Sequence, residues 1–190
     1  MEGYFIVMQY EDWFRETRET IAAYFQEDAD MFSRLLAATS PVTDMRCNVR
    51  LAVKAYRQLH WYGEIKDGFI EVHRISIKKF LSDGDKFTGG RKVWSLYQNM
   101  IGNEEVCAID RWMLRYFGYD GDRHMDDKLY DELEAKVKVL AFKNFLTPAQ
   151  MQAKIWCEMR GYGATRGFAT YGQIIRAGGI TRENILRRII

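Results

Sequence analysis

Proline is nearly absent from this chain: Pro41 and Pro148 are the only two in 190 residues. Long stretches therefore escape the residue that most strongly interrupts helices. Cysteine is scarce as well. Cys47, Cys107 and Cys157 are odd in number and far apart, so no pair has zinc-ligand spacing and no four-cysteine set exists for an iron–sulfur centre. They read as small core residues of a reduced, intracellular protein. His60, His73 and His124 lack ligand spacing too, and neither metal nor other cofactor is expected. No apolar run approaches the roughly 20 residues of a membrane span, and no signal-peptide pattern is evident. A soluble, cytoplasmic protein without membrane contact is expected. Strand signals are weak everywhere, Tyr4 to Met8 being the best of them.

What is present points to helices around one core. Hydrophobic residues make up 47% of the chain and aromatics 14%, which excludes disorder and suits a single domain over residues 1–190. Helical periodicity runs through Tyr10 to Glu27 and Asp28 to Ala38, and Thr39-Ser40-Pro41 breaks it. Thr43 or Asp44 can cap a helix reaching Leu59; Gly63 to Gly68 reads as a turn, and Glu71 to Leu81 as the next helix. A glycine turn at Thr88 to Gly90 opens a helix through Ile101, and Cys107 to Phe117 forms another. Asp126 and Asp127 cap a long one ending near Phe145. Thr147-Pro148-Ala149-Gln150 is a capping-box start with proline at the first helical position. Residues 161–179 hold six glycines with Tyr162, Phe168 and Tyr171 between them and read as a flexible aromatic loop, after which Thr181 caps a last short helix. The expected fold class is all-α.

Net charge is only +2, but it is unevenly spread. Residues 1–30 carry eight acids against Arg15 and Arg18, whereas residues 146–190 carry seven cations against Glu158 and Glu183. A basic end of this kind suits a phosphate-facing surface, and it equally suits a solvated helix face.

The most informative stretch is Gly89 to Gly118, GGRKVWSLYQNMIGNEEVCAIDRWMLRYFG. A glycine turn feeding a helix N-terminus presents backbone N–H groups that suit a phosphate, and Arg91 and Lys92 add charge there. One helix and one short loop return the chain from Lys92 to Asp110. Here the sequence resembles the helix-hairpin-helix DNA glycosylase superfamily. Gly90-Arg91-Lys92 falls on its hairpin end (about residues 82–95) and Ala108-Ile109-Asp110 on its apolar-Asp motif, with Arg115 and Gly118 following. Phe32 to Asp44, FSRLLAATSPVTD, is similar to the family's early helix and DNA-wedging loop. The resemblance implies a groove between helical lobes that receives a base flipped out of double-stranded DNA. Lys86 to Gly90 replaces the family's Leu-Pro-Gly-x-Gly, and Arg111-Trp112 replaces its Thr-His.

LLAATSP at Leu35 to Pro41, KVWSLYQNMIG at Lys92 to Gly102, the Ile109-Asp110 pair and TPAQMQAKIW at Thr147 to Trp156 look closer to a phage branch that hypermodifies thymine. That likeness implies 5-hydroxymethyluracil in DNA, activated as a pyrophosphate, with an amino acid or other small amine as co-substrate, and a monomer in the infected cell's cytoplasm. Under that reading Asp110 is the general base, and Gly89, Gly90, Arg91, Lys92 and Arg111 face the pyrophosphate or the DNA backbone, with Thr39 and Ser40 in the groove. Under the glycosylase reading Asp110 stabilises the sugar cation or activates water, and Lys92 is the amine nucleophile. Trp112, Tyr162, Phe168 and Tyr171 are candidate stacking partners; Asn48 and Asn99 are candidate pocket residues. A third alternative is a non-catalytic DNA-binding module in which Asp110 is a plain helix cap and Lys92 an exposed helix-start residue.

Overall fold

The structure is a computed structural model that describes residues 10–83, 90–160 and 170–187. Every regular element among them is helical, as the sequence predicts. The strand candidate Tyr4 to Met8 and residues 84–89, the centre of the expected hairpin, lie outside the described residues. Helix α1 spans Trp13–Phe25, α2 Ala29–Ala38, α3 Met45–Tyr62, α4 Glu71–Asp83 and α5 Arg91–Ile101. Then follow α6 at Arg111–Tyr116, α7 at Asp127–Lys143, α8 at Pro148–Met159, α9 at Tyr171–Ala177 and α10 at Arg182–Leu186.

The boundaries follow local chemistry. Asp44 accepts the Cys47 N–H at 2.8 Å to start α3, and Asp126 accepts the Leu129 N–H at 2.8 Å to start α7. Gly63, at φ 71°, ends α3 in the left-handed conformation that a side chain resists. Thr147 and Gln150 form the reciprocal capping box of α8, with Pro148 in its first turn. One expectation fails: Tyr171–Ala177 is a helix, not part of a loop. Thr170 and Gln173 make a second capping box there, a local signal that the surrounding glycines obscure.

Two hydrophobic cores divide the molecule. The larger holds the inner faces of α1 to α5, α9 and α10. At its centre Phe25 and Phe32 stack at 3.7 Å between ring centres, and Tyr56 meets both edge-on. The smaller core gathers Met113, Leu114, Leu133, Val137, Met151 and Ile155 from α6, α7 and α8. Helix α8 serves both: Ala149, Ala153 and Cys157, spaced by four, face the larger core, while Met151 and Ile155 face the smaller. Its alanines let the lobes approach closely along this shared helix.

The opposed charges of head and tail meet inside the fold. Arg176 of α9 pairs with Glu16 of α1 and bonds Thr20 at 2.5 Å. Arg182 pairs with Asp28 at 2.7 Å and Glu27 at 3.1 Å. Two tail cations thus neutralise the head rather than face a phosphate. Tyr56 also donates to Asp28 at 2.5 Å, and this bond and Arg182 hold the Asp28 carboxyl below its usual range against the opposing effect of burial.

Phe32 is fully buried. Phe32→Ala is expected to cost about 3–5 kcal/mol, read as a lower urea midpoint with an unchanged slope.

Candidate functional site

A groove of about 780 Å³ opens between the lobes, within the size range of small-molecule sites. The chain from Val106 to Asp110 runs without helix or strand, its last three residues lining the groove, so its backbone groups need other partners. Side chains supply them. Asn99 donates to Val106 O at 2.8 Å, and Glu134 accepts the Cys107 N–H at 3.4 Å. Gln152 accepts the Ala108 N–H at 2.6 Å. The Tyr130 hydroxyl accepts the Ile109 N–H at 3.2 Å and donates to Cys107 O at 2.9 Å. Burial pushes the Tyr130 phenol up to about 12, so it remains a donor at any physiological pH.

This clamp delivers Asp110 to the groove wall. Its Oδ1 accepts the N–H groups of Trp112 at 2.8 Å and Met113 at 3.2 Å, capping α6. The cap uses one carboxylate oxygen; Oδ2 has no hydrogen-bond partner among the described residues. Capping and chemistry are therefore compatible in this residue.

Lys92 lines the same groove from the first turn of α5. Its ammonium makes no hydrogen bond or ion pair with the described residues. Burial depresses its pKa, Asp110 opposes that effect, and Arg111 adds to it. Tyr171 completes the wall: it accepts from Asn48 Nδ2 at 2.8 Å. Its phenol is pushed up to about 12, chiefly by burial, with the Asp110 carboxylate acting in the same direction. Asp110 thus lies within electrostatic reach of both Lys92 and Tyr171.

The groove also takes in Ser40, Gly90, Arg91, Arg111 and Trp112, all anticipated from sequence. Ser40 is 8% exposed, and its buried Oγ has no partner among the described residues. Gly90 sits at φ 112°, with open space where a Cβ would point, so the backbone angle and not crowding requires glycine. Arg91 is already engaged: it pairs with Asp131 at 2.6 Å and Glu134 at 3.4 Å, and lies 4.2 Å over the Tyr130 ring. Arg111 is exposed, with no ion pair among the described residues.

Other expected residues fall elsewhere. Thr39 is fully buried, its hydroxyl 2.8 Å from Leu35 O and 2.6 Å from Asn48 Oδ1, and it supports Asn48 and through it Tyr171. Asn48 and Asn99 are also fully buried and act as braces behind the wall. Gly89, Tyr162 and Phe168 lie outside the described residues. Sequence reading missed Trp156 and Arg160. Gln152 and Trp156 of α8 and Arg160, which caps it, recur every fourth residue, and that spacing was the available signal. The Arg160 guanidinium lies 4.7 Å from the Trp156 ring and 5.5 Å from that of Trp112.

Among the described residues no His, Cys, Asp and Glu side chains group as metal ligands, and no helix is long and apolar enough to cross a membrane. Burial pushes the Cys107 thiol up to about 12 and raises that of Cys157, as expected for inert core cysteines.

Two outcomes follow. A lysine whose pKa is lower in the folded than in the unfolded chain is harder to protonate when folded. Its charge therefore opposes folding at neutral pH, and the opposition disappears above the unfolded value near 10.5. Lys92→Met should raise the thermal midpoint at pH 7, with the gain shrinking as pH approaches that value. Tyr130→Phe should cost about 1–3 kcal/mol in urea unfolding, because it strands the Ile109 N–H and the Cys107 carbonyl.

No curated protein and no solved structure matches this chain. A family profile matches it over residues 7–162, and the chain belongs to that family, a family of unknown function designated DUF7178.

Proposed function

We propose that the groove receives a base flipped out of duplex DNA and that Lys92 and Asp110 carry out chemistry on it. The observation that supports this reading is the unpartnered, desolvated Lys92 amine beside Asp110 in a groove walled by aromatic rings. A lysine of depressed pKa holds more neutral amine near neutral pH, the form required of a base or a nucleophile. Trp112 and Trp156 line the groove beside the Arg160 guanidinium and are the candidate rings for stacking on the base. The loop before α3 offers a wedge. Val42 is 76% exposed at the groove rim and held at φ 60°, a strained angle for a β-branched residue. Thr43 braces that loop by donating to Ser40 O at 3.0 Å and Thr39 O at 3.1 Å. An apolar tip held out in this way suits insertion between base steps.

The finer reading is transfer of an amine to an activated thymine derivative. Lys92 or Asp110 takes a proton from the incoming ammonium, the freed nitrogen attacks the exocyclic methylene carbon, and the carbon–oxygen bond breaks with its electrons leaving on pyrophosphate. Arg111, unpaired among the described residues, and Arg160 are the cations placed to receive that anion. Arg91 is a weaker candidate, since two carboxylates already neutralise it.

Lys92 favours a second reading. A neutral lysine can attack the sugar's anomeric carbon directly, expelling the base and leaving a Schiff base, as a glycosylase with lyase activity does.

One experiment separates the two. Duplex DNA bearing pyrophosphorylated 5-hydroxymethyluracil is incubated with the protein and a mixture of amino acids, then digested and weighed as nucleosides. Amine transfer predicts a nucleoside heavier by one amino-acid residue, lost in Asp110→Ala. Free base, with a borohydride-trapped adduct lost in Lys92→Ala, would establish the glycosylase instead. Unaltered DNA in both assays would refute action on this base.

A further inference from the structure

The basic C-terminal segment suits a phosphate-facing surface or a solvated helix face, and two of its cations, Arg176 and Arg182, are consumed by the acidic head. Unopposed charge lies on α3 instead. Arg46, Arg50, Lys54 and Arg57 are all exposed, and at about 100° per residue they fall within an arc of about 80° on one helix face. The helix contains no Asp or Glu. None of the four cations makes an ion pair with a described residue. Asp44, the nearest acid at the start of the helix, caps it through the Cys47 N–H. At the far end Asp67 lies 3.9 Å from Arg74.

The stripe begins where the groove ends. Asp44 and Met45 line the groove, and Arg46 is the next residue. Steps of four, four and three residues separate successive cations by about 4.5–6 Å along the axis, so they follow a line and do not form a single cluster. The opposite face of α3 is committed to the core through Val49, Ala52, Ala55 and Tyr56, and Tyr62, at the far end, is its one large exposed apolar residue. An interfacial membrane helix needs an apolar face free to enter lipid, which α3 lacks. A polyanion running as a line from the groove mouth is the partner this pattern fits.

We propose that the outer face of α3 is a track for the phosphate backbone of duplex DNA flanking the nucleotide held in the groove. The track rests on the DNA reading given above and adds to it the path the duplex takes. Phosphate contacts of this kind position the duplex without reading sequence. Each cation that neutralises a phosphate steepens the fall of log affinity with log salt by about 0.9.

The test is fluorescence anisotropy with a labelled duplex from 50 to about 300 mM salt, comparing wild type, Arg46→Gln with Arg50→Gln, and a control of Lys128→Gln with Lys143→Gln on α7, both exposed. Circular dichroism checks that each variant keeps its helix content. The α3 variant should bind more weakly at all sequences, with a slope shallower by about 1.8, while the control matches wild type. A wild-type slope in the α3 variant would make the stripe a solvated face and overturn the track, leaving the DNA reading intact. An equal loss in the control would also overturn it, since net charge alone would then explain the effect. If wild type binds anionic vesicles but no duplex, both the track and the DNA reading fail.

Discussion

Five residues without secondary structure, Val106 to Asp110, determine what the groove can do, and side-chain hydrogen bonds hold them there. A buried extended segment strands its backbone polar groups unless partners are provided. Here Asn99, Glu134, Tyr130 and Gln152 provide them from α5, α7 and α8. Each bond is modest by itself, about 0.5–1.5 kcal/mol net, but the cost of leaving any of them unmade in a buried site is larger. The clamp also ties the lobes together, because Tyr130 and Glu134 belong to the smaller lobe while Asn99 belongs to the larger. Fixing this segment fixes the direction of Asp110, and that sets the field felt by Lys92.

Charge in this molecule does two separate jobs. Head and tail attract each other and close the large lobe around α1, α9 and α10, through Glu16 with Arg176 and Asp28 with Arg182. A similar pairing holds Arg91 against α7. Other cations make no ion pair with a described residue, among them Lys92 and Arg111 in the groove and the four of the stripe on α3. A net charge of +2 conceals this division, since it sums paired and unpaired charges alike.

The fold was legible where local chemistry decides it. Asp44, Asp126 and Thr147 are caps that the sequence announces and the structure uses. The Lys92–Asp110 juxtaposition was legible too, from one helix and one short return. What was not legible depends on partners distant in sequence. Thr39 reads as a groove residue until Asn48 and Leu35 are seen to enclose it. Arg91 reads as a phosphate ligand until Asp131 and Glu134, forty or so residues later, are seen to neutralise it. Trp156 reads as ordinary helix packing, because only the meeting of two cores places its face of α8 at a seam. Two cations of the basic tail, Arg176 and Arg182, read as open charge until their partners, more than 150 residues away, are seen.

If the clamped Asp110 acts on a desolvated Lys92 amine, NMR titration of lysine side chains labelled with carbon-13 at Cε will show it. The Lys92 signal, assigned by its loss in Lys92→Met, should titrate below every other lysine. It should fall further in Asp110→Asn, because the carboxylate is what partly restores its charge. A Lys92 signal that titrates with the surface lysines, unmoved by Asp110→Asn, would mean that the amine is neither desolvated nor coupled to Asp110.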